Sequence, residues 1–138
     1  MATELNNENP EIGDFSAFDL EAELREFNKL KPWPSGIHSK TLTKRPHLRM
    51  VLIAMESGAQ MREHHADGTV TLHILQGAIR MNILGQTIDM ESGRLLAVNP
   101  SIKHDVSALQ DCAFLLAISW PAEKDLAGME HRGRGYGT

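Results

Sequence analysis

Between Ile37 and Trp120 the sequence divides into short apolar-rich runs, at 37–44, 47–56, 70–76, 78–84, 86–90, 94–99, 103–108 and 112–120, with turn-forming residues between them. This feature constrains the fold most. A set of short strands with no intervening helix must hide its sheet edges and bury one face of every strand, so a sandwich or closed barrel is expected. In 78–84 the apolar Ile79, Met81 and Ile83 alternate with Arg80 and Asn82, as in a strand with one buried face. Leu-Gly-Gln-Thr at 84–87 reads as a tight hairpin turn, because Gly85 can take the positive φ that such turns require.

Upstream, Ser16-Ala-Phe-Asp19 matches a capping box, and Leu20, Leu24 and Phe27 recur at helical spacing. One amphipathic helix over about 17–30 is expected, ending before Pro32, followed by the connector Lys-Pro-Trp-Pro-Ser-Gly. The expected organisation is a flexible leader at 1–15, helix and connector at 16–36, the β domain at 37–120 and a Gly/Arg-rich tail at 121–138. The 138 residues suit one domain with one core.

The formal charge of -4 gives no electrostatic footprint for nucleic acid, so neither that partner nor an anionic membrane is expected. No apolar run reaches the roughly 18 residues of a membrane span. The first ten residues, rich in Asn and Glu, do not resemble a secretory signal, and a cytoplasmic location is expected. The single Cys112, within Cys-Ala-Phe-Leu-Leu-Ala-Ile, reads as a core residue, and Met50, Met55, Met61, Met81 and Met90 read as fillers of irregular core gaps.

Two glycine-to-histidine spacings carry the functional signal. In the first, Gly58 is followed six residues later by His64, and the segment closes with Leu75-Gln76-Gly77; in the second, His104 falls eleven residues after Gly93. These segments resemble the two motifs of the cupin family over about residues 37–120. The resemblance implies an all-β chain: a cupin-type antiparallel β-barrel, jelly-roll-like, with one short N-terminal helix. It also implies a metal centre of three histidines and a glutamate. His64 and His104 occupy two of those positions, whereas the second histidine falls at Ala66 and the glutamate at Val70 or Thr71. In the second motif the usual proline, glycine and asparagine positions hold Asn99, Ser101 and Ala108, with Pro100 preserving a rigid turn.

A divalent metal with open positions is usually fixed by at least three protein ligands. His65 and Glu63 flank His64 and are the candidates to complete the set if a bulge re-aims them; without one, alternation sends both to the other face. The expected metal ligands are therefore His64, His104 and His65, for one divalent ion of iron, manganese, nickel or zinc. His73 lies among Val70, Leu72 and Ile74, whose parity is inward, so it is expected to face out. His47 is expected to face out by the parity of Leu48, Met50, Leu52 and Ala54, and His38 and His131 have weaker cases still.

A barrel of this size encloses room for one small ligand, oriented by a few polar groups. The leading reading is a barrel that binds a small polar or anionic molecule at His64 and His104, with or without a weakly held metal. Two others stay open: a metal-dependent dioxygenase or isomerase, and a non-catalytic dimeric structural or sensing module. In the last, a homodimer, the helix and Trp33 would cover a neighbour's barrel.

Overall fold

The computed structural model describes residues 13–121. Most of the expected leader and nearly all of the tail, with His131, lie outside the described residues. Helix α1 spans Leu20–Lys29, shorter at its N-terminus than the capping-box reading. The cap is Asp19 rather than Ser16: the Asp19 carboxylate accepts from the Ala22 amide at 3.0 Å, satisfying one of the first-turn donors. The Ser16 hydroxyl instead accepts from the Arg45 guanidinium at 3.2 Å. A short 3-10 turn, Pro34–Gly36, leads into the sheets.

Nine strands follow among the described residues: β1 (Ile37–Arg45), β2 (Leu48–Met55), β3 (Gln60–His64), β4 (Thr69–Gln76), β5 (Ala78–Ile83), β6 (Gln86–Glu91), β7 (Leu95–Val98), β8 (His104–Ala108) and β9 (Cys112–Ser119). Eight match the expected runs. The ninth, β3, was not expected from the sequence and carries His64. The strands form a five-stranded sheet in the order β1-β2-β9-β4-β7 and a four-stranded sheet in the order β3-β8-β5-β6, and every pairing is antiparallel.

The interior between the sheets is apolar. Val70, Leu72 and Ile74 of β4, Phe114 and Leu116 of β9, Ile79 and Met81 of β5, Met90 of β6 and Val106 of β8 are buried in one cluster. Alternation accounts for this assignment, because polar partners take the other face. On the outer side of β5 and β6, Arg80 donates to both carboxylate oxygens of Asp89 at 2.8 and 2.9 Å. That bond holds the Asp89 carboxyl below its usual range. The β5–β6 hairpin closes on Leu84 and Gly85, with φ of 50° and 75°, a two-residue loop with both residues left-handed, as the expected turn requires.

The parity of β2 differs from expectation. Ile53 and Met55, with Val51 packed beside them, belong to the barrel interior, whereas Leu52 and Ala54 face outward beneath α1. Both faces of this strand are buried, so its apolar run has no polar phase to read. Leu24 and Phe27 of α1, together with Trp33, pack with Leu42, Leu52, Ala54 and Ala113 into a second core on the outside of the sheet. Each buried leucine or phenylalanine of this set contributes about 1.5–3 kcal/mol. The Trp33 indole donates to the Phe27 carbonyl at 2.9 Å, and Lys40 of β1 pairs with the nearly buried Glu23 of α1 at 2.8 Å. The helix and Trp33, expected to cover a neighbour's barrel, thus cover this chain's own sheet. Of the methionines expected in the core, Met55, Met81 and Met90 are buried and Met61 packs against the interior, while Met50 is only half-buried.

Candidate functional site

The two histidines singled out by spacing lie on adjacent strands. In the β3–β8 ladder Gln60 pairs with Ser107, Met61 with Val106, and then His64 with His104. Two steps along β8 thus correspond to three along β3, so one extra residue lies between Met61 and His64, a β-bulge. The bulge falls before His64 and places position 64 directly opposite position 104, the relation in which two positions share one sheet face.

His104 is 2% exposed, the one histidine among the described residues that is fully buried, and it shares β8 with the inward-facing Val106 and Ala108. On its other side it pairs with Ile83 of β5. Its Nδ1 lies 3.0 Å from the Ile102 carbonyl oxygen. A carbonyl can only accept, so Nδ1 donates, and in the neutral ring the lone pair is then on the buried Nε2. The local sequence Ile102-Lys103-His104 supplies that carbonyl two residues upstream, which fixes both the ring and its tautomer.

The remaining candidates are elsewhere. His65, just beyond the end of β3, is exposed, and so is Glu63; the latter lies with Gln60, Arg62, Asn82, Asp105 and Ser107 along a shallow cavity of about 260 Å³ on the outer face of the four-stranded sheet. The bulge that was to turn these two inward exists, yet neither is buried. His73 is exposed, as its parity predicts, and His47 is exposed in the turn before β2, where its carbonyl accepts from the Trp120 amide. His38, half-buried, packs against the second core, edge-on to Phe27 with ring centroids 4.5 Å apart and stacked on Trp33 at 6.1 Å.

At the positions where the resemblance expects the other two metal ligands, the chain is apolar. Ala66 is packed against the interior cluster and Val70 is 3% exposed within it, and neither side chain has a lone pair to give. Among the described residues no three histidine, cysteine or carboxylate side chains come together. A resident divalent ion usually takes three or four such donors, and here Ala66 and Val70 stand at two of the places where the resemblance expects them.

Two further contacts at this end have no counterpart in any local sequence pattern. Segment 65–68 is tied down by the Ser101 amide, which donates to the Ala66 carbonyl at 2.7 Å, and by the Trp120 indole, which donates to Asp67 at 2.6 Å.

No family model and no curated protein sequence matches the chain. Solved structures do. A cupin superfamily protein from Desulfitobacterium hafniense is similar with a TM-score of 0.65 at 17% identity, over 81% of this chain and 96% of that one. A conserved protein of unknown function from Streptococcus pyogenes gives 0.64 at 22% identity, over 80% and 92% of the two chains. An RmlC-like cupin from Shewanella frigidimarina gives 0.60 at 19% identity, over 66% and 82%. At these identities the likeness speaks for the fold.

Proposed function

We propose, from the cupin fold that this chain adopts, that it is a small-molecule-binding barrel in which His104 and His64 anchor the polar group of a compact, largely apolar ligand such as a short aliphatic or aromatic carboxylate. The observation that carries this reading is the burial of His104 at 2% exposure within an otherwise apolar interior, opposite position 64. With Nδ1 donating to the Ile102 carbonyl, Nε2 and a carboxylate oxygen are joined through one shared proton that the ligand brings in as its acid, and the apolar walls take the rest. The replacement of the expected donors by Ala66 and Val70 supports binding without a resident metal. Iron, manganese, nickel or zinc would find only two imidazole positions here, and the reading needs none of them. Nor does it need turnover.

The test is an NMR titration of the full chain with acetate, isovalerate and benzoate. Saturable shifts centred on β3 and β8 are expected, strongest for the two bulkier acids. In His104→Leu and His64→Leu the affinity should fall by about tenfold or more, the value of one hydrogen bond to a charged group. Shifts that persist in both variants, or that map to the outer face of the sheet, would contradict the proposal.

A further inference from the structure

We infer that Asp67 and Trp120 are positioning residues, a clamp that holds segment 65–68 against the end of β9 and so keeps position 64 in register with position 104. Its functional weight rests on the role proposed above for those two histidines.

Three contacts converge on this segment from parts of the chain remote in sequence. The Asp67 carboxylate accepts from the Trp120 indole nitrogen at 2.6 Å, short for such a bond, as expected when the acceptor is charged. The Ala66 carbonyl accepts from the amide of Ser101, itself held at a φ of 68° and three residues before His104. Gly68 lies so close to β9 that a Cβ there would come within 2.6 Å of the Ser119 carbonyl oxygen and 3.1 Å of the Trp120 ring. Trp120 in turn is fixed through its own amide, which donates to the His47 carbonyl at 2.9 Å.

These contacts matter because the β3–β8 ladder is weak where the site is. The bulge leaves no register pair between Met61–Val106 and His64–His104, and β3 ends at His64. Strand pairing alone therefore holds position 64 only at its last rung. The clamp supplies the missing restraint on the downstream side: it ties residues 66–68 both to the turn that precedes β8 and to the end of β9 in the opposite sheet. The functional consequence is that a side chain outside the interior sets the geometry of the anchor within it.

The test uses the full-length, isotopically labelled protein and three variants. Trp120→Phe removes the donor and keeps an aromatic ring, Asp67→Ala removes the acceptor, and Asp67→Asn retains an uncharged side-chain oxygen. In the first two, amide exchange at residues 61–66 and 101–104 should accelerate by about tenfold, consistent with losing one charge-assisted hydrogen bond. The His104 ring resonance should move in the same two variants. Asp67→Asn, which keeps an acceptor oxygen but not its charge, should fall between the parent and Asp67→Ala. Exchange of β5 and β6 should not change in any of them.

Unchanged exchange at 61–66 in both Trp120→Phe and Asp67→Ala would overturn the inference, as would a uniform rise across all strands. Should Trp120→Phe fail to fold, Asp67→Ala, an exposed-residue change, decides the matter by itself. The exchange measurement needs no ligand, so absence of benzoate binding in the parent protein would defeat the proposed function and leave this inference to be judged separately.

Discussion

His64 pairs with His104 across the β3–β8 ladder, although an uninterrupted count from the inward Met61 would put residue 64 on the opposite face. The bulge between Met61 and His64 shifts the phase of the strand by one residue. The spacing that links Gly58 to His64 therefore has a structural meaning: it includes the extra residue that brings position 64 opposite its partner.

Restoring the two missing donors should create a metal site. Ala66→His with Val70→Glu returns the histidine and carboxylate positions implied by the resemblance, and isothermal titration should show nickel or manganese binding at least about a hundredfold tighter than in the parent. Val70→Glu alone places a carboxylate at a 3% exposed site and should cost about 2–4 kcal/mol in chemical denaturation without metal. Equal metal affinity in parent and double variant would show that positions 66 and 70 do not face the histidine pair.

Cys112 should behave as an inert thiol with a defined pH signature. Burial pushes its pKa up from 9.0 to about 11, with the backbone of Met55 opposing weakly. The folded state thus holds the thiol proton more tightly than the unfolded chain. The associated stability is present below pH 9 and is lost as the pH rises toward 11. Urea unfolding at pH 8 and pH 10.5 should show this loss, and Cys112→Ala should remove most of it. Rapid labelling of the native protein by a thiol reagent at pH 8 would contradict the assignment.

The helix should be an integral part of the fold. Phe27→Ala empties a 3% exposed position in the second core and should destabilise by about 3–5 kcal/mol. Trp33→Phe, which keeps an aromatic ring but loses the indole bond to the Phe27 carbonyl and leaves a smaller void, should cost less, about 1–3 kcal/mol. Denaturation midpoints check both. A Phe27→Ala protein with undiminished stability would mean that the helix does not pack on this sheet.

How much of this was legible in the sequence depended on where polar residues marked a phase. In β5 the alternation of Ile79, Met81 and Ile83 with Arg80 and Asn82 fixed the inward face, and in β4 it placed His73 outside. In β2 the run Val51 to Met55 is apolar throughout because helix and barrel bury opposite faces, so alternation could not tell the two cores apart. Strand β3 escaped because Gln60-Met-Arg-Glu-His64 has a single apolar residue and its register is set by pairing with β8. The two glycine-to-histidine spacings identified His64 and His104 but not their pairing in the ladder, which arises from a bulge without a residue signature. Asp67 and Trp120 meet across 53 positions of chain, a relation no local pattern encodes.

The central claim is that His64 and His104 act together on one interior ligand, and a double-mutant cycle on benzoate affinity tests it most directly. With His64→Leu, His104→Leu and the double variant, the account predicts that the second substitution costs little once the first is made, a coupling of about 1 kcal/mol or more. Strictly additive losses, or a parent protein that binds none of the three acids, would contradict it.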